Sequence, residues 1–208
     1  MKGSLTILAF FVAGCLAGWS GILPDVIMEN DISIYALYLL ALLVGISIGS
    51  DRKLKEILKS ITPKLLLVPV ATMIGTLSFS ALAGLVISKW SVWETMAVGS
   101  GFAYYSLSSI LISQFKEPTI GAQLAAELGT IALLSNIMRE MITLVCTPFF
   151  MKYFGKYAPI CVGGATTMDT TLPIITKYCG KDMVFVAIFH GILVDFSVPF
   201  WVSFFCSL

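Results

Sequence analysis

Long apolar runs separated by short polar links dominate the chain. A helix that crosses a bilayer needs about 20 mostly apolar residues. Runs of that kind cover residues 5–23, 32–50 and 65–88. A fourth, 93–114, carries many small and polar residues, and a long stretch, 119–153, follows it. The last apolar run is 183–205, and between these two lies 158–176, polar but flanked by apolar residues. The expected fold class is an all-α integral membrane protein. It would have about six membrane segments plus broken or re-entrant polar segments, forming a single transporter domain over 1–208.

Two stretches are wrong for lipid contact. One is Gly99-Ser100-Gly101-Phe102-Ala103-Tyr104-Tyr105-Ser106-Leu107-Ser108-Ser109-Ile110-Leu111-Ile112-Ser113. The other is Gly163-Gly164-Ala165-Thr166-Thr167-Met168-Asp169-Thr170-Thr171-Leu172-Pro173-Ile174-Ile175-Thr176. An unpaired backbone group in hydrocarbon costs several kcal/mol, so a broken helix must face protein or water. The two stretches also align: with Ala103 on Ala165, Ser108-Ser109 falls on Thr170-Thr171 and Ile112 on Ile174. At the same offset Ala125 meets Ala187 and Gly129 meets Gly191. Paired interrupted segments point to a transporter site at the interface of an inverted repeat, although Ser/Thr/Gly-rich stretches also align by chance.

Charge sets the orientation. The link 24–31 holds Asp25, Glu29 and Asp31 and no basic residue, whereas 51–64 holds Arg52, Lys53, Lys55, Lys59 and Lys64. The positive-inside rule places the second link, and with it the N-terminus, in the cytoplasm. Lys116, Lys152, Lys156, Lys177 and Lys181 are spread over three later links. They obey the rule together only if some segments enter and leave on one side. Trp19, Trp90, Trp93 and Trp201 fall near segment ends, as an aromatic belt would.

Composition narrows the class further. The chain is 58% hydrophobic with 12% charged residues and a mean hydropathy of +0.94, about half the charge of a soluble domain. A net charge of +1 leaves no nucleic-acid footprint. Five cysteines and one histidine show no metal-ligand spacing, so no metal, cofactor or disulfide framework is expected. Val12-Ala13-Gly14-Cys15 looks like a lipoprotein cleavage box, but the apolar run continues to Leu23 and reads as a first transmembrane helix. No nucleophile elbow accompanies the single His190, so an enzyme is not expected. A channel would need a continuous polar lining that most segments lack.

Ionisable residues within apolar runs are the functional candidates, because each costs about 2.5–3.5 kcal/mol at the bilayer centre. Asp169 is ringed by Thr166, Thr167, Thr170 and Thr171. Glu140 shares a helix face with Asn136. Arg139 points elsewhere, or Arg139-Glu140 marks a short loop. Asp195 and His190 sit in the last helix; Asp195 has a structural reading as a partner for a backbone amide or for Arg139. Glu127 has one as a cap or a partner for Lys116, and His190 as a satisfied packing residue.

Four runs resemble the lysine exporter (LysO) family. They are Gly101-Phe102-Ala103-Tyr104-Tyr105-Ser106-Leu107-Ser108-Ser109, with Ala103 where glycine is expected, and Leu128-Gly129-Thr130-Ile131-Ala132-Leu133-Leu134-Ser135-Asn136-Ile137-Met138-Arg139-Glu140. The others are Gly163-Gly164-Ala165-Thr166-Thr167-Met168-Asp169-Thr170-Thr171-Leu172-Pro173 and Phe189-His190-Gly191-Ile192-Leu193-Val194-Asp195-Phe196-Ser197-Val198-Pro199-Phe200. The resemblance implies export of L-lysine and its analogue thialysine across the bacterial inner membrane, in exchange for protons. Two intramembrane acids matter in the family, and by motif they fall on Glu140 and Asp169.

On this reading, substrate and proton alternate on Asp169 and Glu140, with Asn136, Tyr105, Ser108, Ser109, Thr166, Thr167, Thr170, Thr171 and Asp195 around them. Hydroxyls of Ser108, Ser109, Thr170 and Thr171 are the expected donors to the substrate carboxylate. Family members are commonly longer at the N-terminus. A small membrane subunit supplying those helices is therefore an expected partner, beside the bilayer and a homo-oligomeric option. The competing readings are a carrier of another amino acid or organic cation, and a scaffold subunit without transport of its own.

Overall fold

The computed structural model describes residues 12–14, 16–20, 35, 39, 42, 46 and 63–208. The chain divides into two compact units, residues 1–54 and 55–208. In the first, the described residues are helical apart from a turn at Ser20, and Trp19 is exposed. The expected segments 5–23 and 32–50 lie largely outside the described residues. The rest of this section concerns the second unit, in which every described regular element is helical.

Its helices are α1 (Leu67–Val86), α2 (Val92–Gly99), α3 (Tyr105–Ile120), α4 (Ala122–Phe154), α5 (Ala158–Gly163), α6 (Leu172–Cys179) and α7 (Val184–Cys206). Single 3₁₀ turns precede α1 (Pro63–Leu66), follow α5 (Gly164–Met168) and precede α7 (Lys181–Met183). Three helices among the described residues are long and apolar enough to cross a membrane: α1, α4, and α7 with its preceding turn, Lys181–Cys206. The fourth expected segment, 93–114, is not one helix. It breaks at Ser100–Tyr104 into α2, of 8 residues, and α3, of 16. Two glycines and a left-handed turn end α2 there, and Ser91 starts it with a capping box closed by Glu94.

Side-chain neighbours fix the direction of each helix. Call the end where α1 starts the near end and the other the far end. Thr72 on α1 meets His190 on α7, and Gly84 lies against Val92 and Thr95 of α2. α1 and α7 therefore run the same way, near to far. α3 lies antiparallel to α4: Ser113 donates to the Ala125 carbonyl at one end, and Asn136 receives the Ala103 N–H at the other. Gly129 is what lets them approach, since a Cβ there would lie 2.8 Å from the Ser109 carbonyl oxygen.

Two short hairpins complete the unit. α2 starts at the far end, where Glu94 pairs with Lys116 of α3, and its last turn reaches Asn136 in mid-α4. The α2–α3 hairpin thus dips in from the far end and returns. α5 begins beside the last turn of α4, ends against Arg139 and Thr143, and is followed by α6. Ile160 of α5 and Ile175 and Cys179 of α6 pack with Met183 and Met151 in a cluster at the near end. Lys156 pairs with Asp182 beside it. The α5–α6 hairpin therefore enters and leaves at the near end. Pro159 and Pro173 sit in the first turns of α5 and α6, where a missing N–H costs nothing.

Four of the five scattered lysines, Lys152, Lys156, Lys177 and Lys181, lie at the near end, because α5–α6 turns back on itself there; the fifth, Lys116, lies at the far end. At the far end Lys89 pairs with Glu127 and Lys116 with Glu94 at 3.9 Å. The suggested Glu127–Lys116 pair is thus replaced: Lys116 is buried beneath α2, while Glu127 faces outward toward the α1–α2 link. Of the expected belt, Trp93 and Trp201 stack on Phe205 at the far end, and Trp90 is buried there.

Candidate functional site

The two hairpins meet tip to tip. The Ala165 N–H donates to the Phe102 carbonyl at 2.9 Å, joining the two polar stretches directly. Both tips turn through left-handed backbone, Phe102 at φ +45° and Ala103 at +75° in one, Gly164 at +60° in the other. Phe102 and Gly164 stand at the same offset as Ala103 and Ala165. A Cβ at Gly164 would collide with the Phe102 carbonyl.

Asn136 fastens the first tip to α4. Its Oδ1 accepts from the Ala103 N–H at 2.7 Å, and its Nδ2 donates to Val98 and Ala132 carbonyls at 3.2 and 2.9 Å. Buried groups of this kind must be paired, and this one side chain satisfies three backbone groups around the break. Arg139, one turn on and on another face, does the same for the second tip. Its Nε and Nη2 donate to Val162 and Cys161 carbonyls at 2.8 and 2.9 Å, and Nη1 donates to Thr76 Oγ1 at 3.2 Å. These carbonyls close the C-terminal end of α5, where a cation is favoured. Arg139-Glu140 is therefore mid-helix rather than a loop.

The predicted hydroxyls divide into two groups. Ser108, Thr166 and Thr171 donate to carbonyls of their own segments, those of Tyr104, Gly163 and Thr166. Thr167 shares its hydroxyl among the Gly164 and Ala187 carbonyls and His190 Nδ1. His190 is fully buried with Thr72 on its other nitrogen at 2.9 Å, so both ring nitrogens are satisfied. These groups hold the tips in shape. Thr170 Oγ1 is different: it is buried and, like Glu140 Oε1, makes no hydrogen bond of ordinary length among the described residues, though it lies close enough to the Glu140 and Asp169 carboxyls to stabilise their charged forms. Ser109 and Tyr105 are half-buried on α3.

The acidic side chains lie within electrostatic reach of one another. Glu140 is 4% exposed and Asp195 7%, while Asp169 is exposed at the end of the Gly164–Met168 turn with Oδ1 accepting from the Thr170 N–H. The charge of Asp169 reaches Glu140, Asp195, Tyr104 and Tyr105, and that of Glu140 reaches Tyr105. Among the described residues neither Glu140, Asp169 nor Asp195 forms an ion pair, so Asp195 is not the partner of Arg139. Asp169, Asp195, Tyr104 and Tyr105 thus form one electrostatically linked group with Glu140. This is a set of acceptors suited to a cation with several N–H donors, or to protons. Among the described residues no group of His, Cys, Asp and Glu is arranged to hold a metal ion.

Sequence reasoning reached the acids, Asn136 and the threonines through their polarity in apolar surroundings. It missed the role of Arg139, whose signal was present: an arginine at mid-span needs partners, and the ends of a broken helix supply them.

Comparison with known proteins gives the same direction. The sequence profile of a family described as "Lysine exporter LysO" matches residues 8–206. The "Lysine exporter LysO" of Escherichia coli (strain K12) is 31% identical over 205 residues, which are 98% of this chain and 64% of that protein. The chain thus spans just under two thirds of that relative's length. The "Putative lysine exporter" of Haemophilus influenzae (strain ATCC 51907 / DSM 11121 / KW20 / Rd) is 31% identical over 208 residues, covering 97% of each chain. No solved structure matches.

Proposed function

The chain belongs to the lysine exporter LysO family, and from that premise we propose that it exports L-lysine, with analogues such as thialysine, across the bacterial inner membrane in exchange for protons. The observation that carries the site assignment is the pair of buried neighbours Glu140 Oε1 and Thr170 Oγ1, neither with a hydrogen bond of ordinary length among the described residues, beside Asp169. An ammonium carries three donors and no acceptor. The lysine side chain would give them to Glu140, Thr170 and Asp169, with Asp195 and Tyr105 close by. When lysine leaves, protons take its place on the carboxyls, because two neighbouring acids in a desolvated site do not both stay charged without a cation. Competition for one set of oxygens is the simplest coupling device.

The fold supports a carrier. In this reading the opposed hairpins are re-entrant halves of an inverted repeat, with the site where their tips cross. The lysine-rich near end is cytoplasmic by the positive-inside rule. Moving one positive charge out against an inside-negative potential costs about 2.3 kcal/mol per 100 mV. One inward proton cancels that charge, which leaves the pH difference and the lysine gradient to drive export.

The test is radiolabelled lysine uptake into liposomes holding the purified chain, driven by an imposed pH gradient. Uptake by the wild type and none by Asp169→Asn or Glu140→Gln is the expected result. Uptake that ignores the pH gradient would remove proton exchange, and full activity in both variants would remove the site.

A further inference from the structure

α1, α4 and α5 border an open, largely apolar groove of about 600 Å³, with Thr72, Gly75, Thr76, Ser80, Arg139 and Cys161 among its lining. Its chemistry is the reverse of that around the acids. A guanidinium has five N–H donors, and three of Arg139's are engaged, on Val162, Cys161 and Thr76. One N–H on each terminal nitrogen is left. Thr76 accepts from Arg139, so its hydroxyl proton is free to donate. Ser80 borders the same groove, but its hydroxyl lies against Gly99 of α2. No acidic side chain lies within ion-pair distance of Arg139 among the described residues. No carboxylate lines the groove among the described residues. A mid-helix cation with neutral partners, spare donors and a groove in front of it is a receptor for a small carboxylate.

We propose that this cleft is an anion subsite, with Arg139 and Thr76 as its donors, and that its ligand is the α-carboxylate of the transported amino acid. The assignment rests on the lysine-export reading above. It gives the two ends of a zwitterionic substrate separate stations, the carboxylate on Arg139 and the ammonium on the acids. Of the four hydroxyls expected from sequence to serve the carboxylate, Ser108 and Thr171 are spent on Tyr104 and Thr166 carbonyls; Ser109 and Thr170 are neutral donors, so the charged Arg139 is the strongest. The subsite would let the carrier tell an amino acid from a diamine of the same length.

The experiment compares binding of lysine and of cadaverine, which lacks the carboxylate, to the full chain in lipid nanodiscs, with and without added chloride. Two variants are used. Arg139→Gln removes the charge. Gly75→Leu fills the cleft from α1, where an added Cβ meets nothing within 4 Å. Lysine affinity should fall about tenfold or more in both, the scale of a charged hydrogen bond, while cadaverine affinity stays within about twofold. Lysine bound by the wild type and equally by both variants would overturn the subsite and leave lysine export standing. Loss of both ligands in Arg139→Gln with normal lysine binding in Gly75→Leu would overturn it too, reducing Arg139 to a cap on α5. Chloride-dependent cadaverine binding abolished by Arg139→Gln would assign the cleft to an inorganic anion and overturn the carboxylate assignment. No lysine binding by the wild type would overturn the transport reading and this one with it.

Discussion

Ala103 holds φ +75° with a side chain that conformation disfavours. An L-residue in the left-handed region costs about 1–2 kcal/mol, and glycine relieves most of it while losing more entropy on folding. Ala103→Gly is therefore expected to stabilise the chain by about 0.5–1 kcal/mol, seen as a higher thermal midpoint in detergent. The same turn depends on Asn136. Asn136→Ala strands the Ala103 N–H and the Val98 carbonyl in a buried site, at about 1–3 kcal/mol for each group left unpaired. Asn136→Asp is expected to be no better, because it sets an oxygen against two carbonyls; the fall in thermal midpoint checks both. A glycine expected at 103 from the family resemblance was thus a legible hint of backbone shape. The positive φ of Phe102 was not legible, since nothing about a bulky aromatic announces a left-handed turn.

At the scale of elements, contact between the hairpin tips relies on two glycines. Gly164 passes the Phe102 carbonyl too closely for any side chain, and a Cβ on Gly191 of α7 would lie 2.7 Å from the Met168 amide nitrogen. Gly164→Ala and Gly191→Ala are expected to leave helix content by circular dichroism unchanged while lysine transport falls at least tenfold; normal transport in either would mean the tips need not meet. A different element-level effect concerns Lys156, which donates to Asp182 and holds its carboxyl below the usual carboxylate range. A depressed carboxyl stabilises above that range and loses its contribution as pH falls through the lowered value. Asp182→Asn should flatten that part of the acid limb of the melting curve, modestly, as both groups are exposed. Sequence foresaw both hairpins as polar stretches unfit for lipid, because polarity is local. It read the first as part of one span, 93–114, because apolar residues on both sides of the break hide a reversal of direction. It paired Glu127 with the wrong lysine because Lys89 is 38 residues away in the chain.

For the whole molecule, the proposed orientation makes a simple forecast. With the native cysteines replaced by serine, cysteines introduced at Lys152 and Lys181 should react with a membrane-impermeant maleimide only from the cytoplasmic face, and one at Lys89 only from outside. Labelling of Lys152 and Lys181 from opposite faces would mean that α5–α6 crosses the bilayer. The charge pattern made this topology partly readable: lysines that no alternating path can place on one side demand a segment that turns back. The meeting of the tips has a further consequence, in the history of the chain rather than its final form. Phe102 and Ala165 are joined by a backbone hydrogen bond, yet a ribosome delivers the first long before the second. Until α5 arrives, the earlier hairpin exposes the Phe102 carbonyl with no mate, and hydrocarbon penalises such groups by several kcal/mol each. With the tips inside the bilayer, as proposed, the nascent protein would have to wait at the insertion machinery, or in a water-lined fold, until its second half is made. Synthesis itself becomes a timed handover, in which slowing translation after α4 would prolong the most vulnerable stage of assembly.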